Sequence, residues 1–162
     1  MEFMSKSVED TKRFAKDFLE KLSVKSVGRA TVVGLYGNLG SGKTTFTQCI
    51  AEILGVTEHL TSPTFVILKS YKLKTTNPAR TETVRSGGHK LLHHIDAYRL
   101  KSGEELRKLG FEELLGDPRN LIFIEWADQV ADILPTNHIK LQFEFVDDKT
   151  RKVSFVANVS NK

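Results

Sequence analysis

Residues 31–44 read TVVGLYGNLGSGKT, and the fold class follows from this segment. Its first six residues are apolar or β-branched almost without alternation, which is typical of a strand covered on both faces. A glycine-rich turn comes next, and apolar residues then recur at helical spacing through Phe46, Ile50 and Ile53. The glycine at 55 suits the end of that helix. The segment therefore predicts a buried parallel strand, a tight turn and a helix.

The turn also fits the pattern G-x-x-x-x-G-K-[ST] from Gly37 to Thr44, in the strand–turn–helix context that this pattern requires. Gly37, Gly40 and Gly42 allow backbone N–H groups to approach the oxygens of a di- or triphosphate. The start of the helix adds the positive end of its dipole. We expect Lys43 to bridge the β- and γ-phosphates and the Thr44 hydroxyl to bind Mg²⁺.

Two carboxylates end predicted strands. Asp96 closes a short strand that ends with residues 94–96, and Glu125 follows the apolar run at 121–124. Ligands of open α/β sheets collect at the carboxyl ends of strands, and Mg²⁺ in such sites takes one or two carboxylates. We expect one of them to hold the metal through water and the other to bind it or orient the attacking water. The alternative for each is a solvated carboxylate without a role.

The remaining pattern alternates strands with helices. An amphipathic helix starts near Ser7 and Asp10, a strand is predicted at 65–71, and Ser102 with Glu105 resembles a capping box. A helix spans 127–134, and two alternating segments at 139–145 and 152–159 form an antiparallel hairpin at the sheet edge. Residues 1–3 resemble a cloning remnant, so no element of the fold is predicted for them. The prediction is one α/β P-loop domain over 1–162, with a mostly parallel sheet and helices on both faces.

Composition limits the function classes. The 162 residues, 40% hydrophobic and 27% charged, suit a single globular domain. A single cysteine, Cys49, excludes an internal disulfide and a multi-cysteine metal site. No apolar run approaches the roughly 18 residues that span a bilayer and no signal-peptide core is visible, so we expect a cytoplasmic protein without a membrane contact.

The net charge of +4 comes from 24 Lys and Arg against 20 Asp and Glu. Residues 72–90 carry five of the basic residues and one acidic residue, so this segment accounts for the whole excess. Its Pro78, Gly87 and Gly88 indicate a loop. The basic character therefore belongs to an insert and does not describe the body of the protein.

Four motifs in this order resemble the TsaE (YjeE) family of small P-loop ATPases: residues 37–45, 61–65, 94–99 and 124–126. That family is required in bacteria to make N6-threonylcarbamoyladenosine in tRNAs that read ANN codons. The resemblance covers about residues 7–145. It implies ATP and Mg²⁺ as cofactors, and ATP hydrolysis in a complex with TsaB and TsaD, where TsaD transfers the threonylcarbamoyl group. It implies contact with tRNA through that complex.

The resemblance also implies roles for individual residues. Lys43, Asp96 and Glu125 are the expected catalytic residues, and Thr44, Asp96 and Glu125 the expected metal ligands. Within the switch-like segment 61–64 we favour Thr64 over Thr61 as the hydroxyl that senses the γ-phosphate, the alternative being a plain turn. The nucleotide-binding set is Asn38, Leu39, Gly40, Ser41, Gly42, Lys43, Thr44, Thr45, Thr64 and Trp126, although Trp126 also suits a core position.

The chain departs from the family pattern at two places. Asn38 stands where the loop usually carries an acid, and the 72–90 insert is longer than the usual turn. The insert's charge motivates the hypothesis that it contacts tRNA, against the alternative of a plain solvated loop. His89, His93 and His94 lack the spacing of a zinc site, and we expect them to face solvent or substrate.

Two other functions remain open at this stage. A small-molecule kinase uses the same phosphate loop, with the basic insert as its lid. A nucleotide-dependent switch binds ATP with little hydrolysis until a partner completes the site. Arg99, which matches the family motif, suits a contact with phosphate or with an acid of a partner protein, the alternative being a surface ion pair.

Overall fold

The computed structural model describes residues 1–22, 28–58, 67–73 and 88–156. Four helices occur in these ranges, together with a 3₁₀ helix at Ala127–Ile133. The α-helices are α1 Val8–Leu22, α2 Lys43–Ile53, α3 Gly103–Arg107 and α4 Phe111–Leu115. The strands are β1 Glu2–Ser5, β2 Thr31–Tyr36, β3 Leu68–Lys72, β4 Leu91–Asp96, β5 Asn120–Glu125, β6 Ile139–Phe145 and β7 Arg151–Val156.

The described strands form one sheet in the order β1-β7-β6-β2-β5-β4-β3. Its centre, β6-β2-β5-β4, is parallel, and the outer pairs β1–β7, β7–β6 and β3–β4 are antiparallel. Every residue of β5 is buried, as expected for a strand covered on both faces. The predicted α/β class and the mostly parallel core are confirmed.

Helices cover both faces of the sheet, and alternate residues of a strand face opposite sides. Leu121 and Phe123 of β5 pack in a cluster with α1 and α2, where Phe14, Phe18 and Phe46 contribute aromatic rings. Ile122 and Ile124 pack in a second cluster with α3, α4 and the 3₁₀ helix. The α2 face of the sheet is therefore defined by the odd-numbered residues of β5.

The N-terminal helix is as predicted. Ser7 Oγ accepts the Asp10 N–H at 3.1 Å before the helix proper, which is the expected N-terminal cap. The five residues predicted to share one face are all buried, namely Phe14, Ala15, Phe18, Leu19 and Leu22.

The prediction is wrong about the sheet edge. The β6–β7 hairpin forms, but β1 pairs with β7 and takes the edge position. Residues 2 and 3, interpreted above as part of a cloning remnant outside the fold, therefore belong to a strand. Four residues carry too short an alternation to be recognised, and β1 is held by long-range contacts such as the stacking of Phe3 on Phe14 at 4.9 Å. Residues 65–66 and 157–159 of the predicted strands lie outside the described ranges.

The capping box is also wrong in detail. Ser102 precedes α3 without a side-chain cap, and Glu105 Oε2 accepts the N–H of Lys101 at 2.7 Å instead. Gly110, at φ 89°, separates α3 from α4, a helix that was not predicted. The predicted helix at 127–134 is 3₁₀, with a kink at Val130. In the described ranges, no helix has the length and apolar character needed to cross a membrane.

Candidate functional site

A cavity of about 650 Å³ opens where β2, β4 and β5 end, next to the start of α2. The predicted site residues that line it are Leu39, Gly40, Ser41, Gly42, Lys43, Thr44, Thr45, Asp96, Glu125 and Trp126. Asn38 does not line it, although its carbonyl contacts Lys43. Thr61 and Thr64 lie outside the described residues. Ile67, which follows that segment, lines the cavity and accepts the N–H of Asp96 at 2.9 Å.

The turn between β2 and α2 depends on glycine at defined points. Gly37, Gly40 and Gly42 have φ values of 140°, 75° and 103°, which L side chains rarely adopt. A Cβ at Gly37 would lie 2.3 Å from the carbonyl oxygen of Phe143 in β6. Gly42 precedes α2 without a side-chain cap, and residues 42–45 line the cavity, so α2 begins at the cavity wall with no side chain capping its first N–H groups. This geometry suits an anion.

Lys43 is the buried cation of this loop, only 5% exposed. Its Nζ donates to the carbonyls of Gly37 at 2.5 Å and Asn38 at 2.9 Å, and it lies 4.2 Å from the centre of the Trp126 ring. Burial lowers the pKa of Lys43, while the charges of Glu125, Asp128 and Asp96 act in the opposite direction. The ammonium is thus held at the loop beside the two predicted acids.

Asp96 and Glu125 are paired neighbours on adjacent parallel strands. Asp96 Oδ1 accepts the N–H of Tyr98 at 3.0 Å. Burial raises the pKa of Asp96, and the charge of Glu125 acts in the same direction, while the Tyr98 hydrogen bond opposes them. Glu125 is 1% exposed, and its Oε1 is buried without a hydrogen-bond partner in the described residues.

These side chains fit Mg²⁺ better than a softer metal. The described residues contain no group of three or more His, Cys, Asp or Glu placed to hold a metal ion. The Thr44 hydroxyl and the carboxylates of Asp96 and Glu125, which all line the cavity, are hard oxygen donors of the kind that Mg²⁺ prefers, and phosphate oxygens would complete the set. The buried Oε1 of Glu125, which has no hydrogen-bond partner in the part of the chain that the structure describes, is an oxygen that such a cation would satisfy.

Trp126 both lines the cavity and contacts the hydrophobic core. Its ring lies 5.0 Å from that of Tyr98 and lines the cavity, while it also packs against the core cluster under α3 and α4. Among the described residues other than glycine, Trp126 alone has a positive φ, 57°. Such a conformation costs of order 1 kcal/mol and recurs at functional sites. Arg99 also lines the cavity.

The prediction for the histidines is wrong, because His89, His93 and His94 are all buried. His89 Nε2 lies 2.9 Å from Thr31 Oγ1, and His93 Nδ1 lies 2.7 Å from Ser70 Oγ. His94 Nε2 lies 3.5 Å from Glu125 Oε2. In a strand that ends at Asp96, alternation places neighbours such as His93 and His94 on opposite sides of the sheet.

Sequence reasoning missed Arg151, the first residue of β7. Its Nε donates to the carbonyl of Gly40 at 2.8 Å, and its Nη1 donates to the carbonyls of Asp147 at 2.7 Å and Thr150 at 3.1 Å. Its guanidinium carbon lies 4.4 Å from the centre of the Phe145 ring. Arg151 therefore ties the β6–β7 turn to the phosphate loop across 111 residues of sequence.

We expect Arg151→Met to weaken ADP binding about fivefold, close to 1 kcal/mol, because one charge-assisted hydrogen bond then no longer holds the loop. Calorimetric titration measures this. Lys152→Met is the matched control, since Lys152 Nζ pairs with Glu144 at 3.0 Å and does not line the cavity. Equal losses in both variants would contradict the role given to Arg151.

The N-terminal segment also lines the cavity, which the sequence did not indicate. Ser5, Ser7, Val8 and Thr11 line it in addition to the phosphate loop, as does Lys149 in the β6–β7 turn. Ser5 is placed there because it pairs with Arg151 in the β1–β7 ladder. The cavity is thus larger than a phosphate site and has a mixed polar and apolar extension.

Comparison with known proteins agrees with this architecture. The family described as "Threonylcarbamoyl adenosine biosynthesis protein TsaE" matches residues 5–153. The tRNA threonylcarbamoyladenosine biosynthesis protein TsaE of Rickettsia bellii is 36% identical over 157 residues, covering 96% of this chain and 92% of the relative. The protein of the same name from Bacillus subtilis is 32% identical, over 92% of this chain and 80% of its own length.

Among solved structures, Bacillus subtilis YdiB superimposes with a TM-score of 0.68 at 29% identity. The match covers 97% of this chain and 84% of YdiB. The fold of this chain is therefore similar to that of a solved protein over nearly its whole length.

Proposed function

Because the chain belongs to the TsaE family of threonylcarbamoyladenosine biosynthesis proteins, we propose that it binds and hydrolyses ATP with Mg²⁺ in that tRNA modification. The observation that supports this most is the meeting of the phosphate loop, Lys43 and two strand-end carboxylates in one cavity. A buried cation at a helix start, beside acids at the neighbouring strand ends, suits a nucleotide phosphate chain.

Each residue has a role in this proposal. The loop N–H groups bind the phosphates, and Lys43 exchanges its contacts with the loop carbonyls for contacts with β- and γ-phosphate oxygens. Thr44, Asp96 and Glu125 would hold Mg²⁺, which neutralises charge developing on the phosphates. Glu125, whose buried Oε1 has no hydrogen-bond partner among the described residues, is the better candidate to orient the attacking water.

The nucleoside fits the remaining part of the cavity. Ser7, Val8, Thr11 and Lys149 line the same cavity as the phosphate loop, and we assign the part that they line to the ribose and base. Polar hydroxyls beside an apolar side chain suit a flat base with polar edges. The choice of adenine over guanine rests on the family membership.

We further propose that hydrolysis depends on the protein partners TsaB and TsaD, and that the chain meets tRNA through them in the cytoplasm. Exposed Leu39 and Tyr98 at the cavity wall leave the site open on one side, as expected if another protein completes it. A direct contact of residues 72–90 with tRNA stays a hypothesis, because residues 74–87 lie outside the described ranges.

The kinase alternative is less well supported. It needs the basic insert to close over the phosphates, yet the insert begins and ends at the amino end of β4, beside Lys72 and Leu91. The phosphate loop and Asp96 lie at the opposite end of the same strands. The switch alternative differs from the proposal only in the rate of hydrolysis.

The test combines binding with turnover. We expect ADP and ATP to bind in calorimetry and to change the fluorescence of Trp126, the one tryptophan of the chain, with GTP binding more weakly. Phosphate release from ATP should rise when TsaB and TsaD are both added. Binding without stimulated hydrolysis under any condition would favour the switch, and transfer of the γ-phosphate to a small molecule would favour the kinase.

A further inference from the structure

His94 is a buried titratable residue to which the proposed chemistry assigns no part. It lies on β4 two residues before Asp96 and has no solvent exposure. Leu92 packs in the cluster with α1 and α2, and Ile95 packs in the opposite cluster. Because strand residues alternate, His94 and Asp96 face the α2 side, which Glu125 shares.

The contact between His94 and Glu125 is closed to solvent. Nε2 lies 3.5 Å from Oε2, with side-chain exposures of 1% and 2%. This distance is within ion-pair range but longer than a full hydrogen bond. Neither ring nitrogen of His94 has a hydrogen-bond partner among the described residues. A carboxylate this deep in the protein is costly to bury unless a polar group faces it, and the imidazole is such a group.

The two oxygens of Glu125 are therefore not equivalent. Oε2 faces the imidazole, while Oε1 is buried with no hydrogen-bond partner in the described part of the chain. The charges of Lys43 and Asp96 also act on Glu125, one attracting and one repelling it. Without the imidazole beside Oε2, the carboxylate could turn toward Lys43 or away from Asp96, and Oε1 would have no fixed orientation.

We propose that His94 is a positioning residue, whose imidazole holds Oε2 of Glu125 so that Oε1 is presented to the Mg²⁺–ATP site. This inference rests on the proposed function, since it assigns a supporting residue to the same site. Groups that orient a ligating carboxylate change metal affinity or activity by about 10- to 100-fold when removed.

The first experiment compares His94→Leu with His94→Gln, whose amide nitrogen replaces Nε2. We expect His94→Leu to lower kcat of the complex with TsaB and TsaD about 10- to 100-fold, and His94→Gln to retain most of it. Binding is measured on the chain alone, by titrating ADP with Mg²⁺ and again with EDTA. His94→Leu should reduce the gain in affinity that Mg²⁺ gives and leave the affinity in EDTA unchanged.

His93→Leu is the matched control. His93 is buried on the same strand but faces the opposite side and contacts Ser70, so its loss affects packing without reaching Glu125. We expect it to lower the melting temperature and to leave kcat and the Mg²⁺ effect unchanged. Equal kinetic losses in His93→Leu and His94→Leu would overturn the proposal. If His94→Leu does not fold, His94→Asn replaces it, because its shorter amide does not reach Oε2.

A double-mutant cycle with Glu125→Gln separates positioning from general destabilisation. If His94 acts through Glu125, adding His94→Leu to Glu125→Gln causes no further loss of kcat or of the Mg²⁺ effect. Additive losses would overturn the proposal. A wild-type chain that neither binds nor hydrolyses ATP would instead refute the proposed function, whereas an active wild type with a fully active His94→Leu refutes only this inference.

Discussion

Replacing Lys43 with alanine is expected to reduce ATP and ADP affinity at least about 100-fold, or close to 3 kcal/mol. Lys43 is the buried cation at the start of α2, and its ammonium already lies among loop carbonyls at hydrogen-bond distance. In the nucleotide complex it would donate charge-assisted hydrogen bonds to two phosphates, which alanine cannot replace. Calorimetric titration with ADP measures the loss without interference from turnover.

Stability should change far less than affinity in this variant. Removing Lys43 gives up its bonds to the loop but also relieves the cost of burying an ammonium, as its lowered pKa indicates. Lys12→Ala is the control, since Lys12 pairs with Glu52 on the surface at 2.6 Å and does not line the cavity. An Lys43→Ala chain that binds ADP as the wild type does would remove the basis of the proposed function.

Gly37→Ala is expected to destabilise the fold by about 3 kcal/mol, combining overpacking with backbone strain. The new methyl group would lie 2.3 Å from the backbone oxygen of Phe143, so the loop or β6 must shift. Because the same displacement moves the phosphate loop, ADP binding should also be lost. Urea denaturation and calorimetry measure the two effects separately.

Gly40→Ala isolates the contribution of the clash. Gly40 also has positive φ, but a Cβ there meets no atom within 4 Å. We expect the free energy of unfolding to fall by about 1 kcal/mol, from backbone strain alone. If the two alanine variants were equally destabilised, the contact between Gly37 and Phe143 would not be the cause.

The central part of the fold was predictable because its signals are local. The buried strand β2, the glycine turn and the start of α2 lie within 14 consecutive residues of the sequence, 31–44. The carboxylates at 96 and 125 were found by a topological rule, since parallel strands bring their carboxyl ends to one edge. Neither inference required knowledge of distant contacts.

What the sequence did not reveal depends on such contacts. Arg151 reaches Gly40 only because β7 is antiparallel to β6, and β6 lies beside β2. The edge strand β1 is defined by its pairing with β7, and its four residues carry no clear pattern by themselves. His94 was misjudged because histidines close together in sequence were considered as one cluster, although the strand places neighbours on opposite faces.

The antiparallel pairing of β3 with β4 bears on how this protein can diverge in evolution. The segment between these strands leaves and re-enters at the amino end of the sheet, where the N–H of Leu73 bonds the carbonyl of Lys90 at 2.9 Å. Changes in its length or charge therefore do not alter the strand ends that carry Asp96 and Glu125. The segment between β3 and β4 can therefore change in evolution and gain new surface contacts, while Asp96 and Glu125 at the other end of the strands keep their own role.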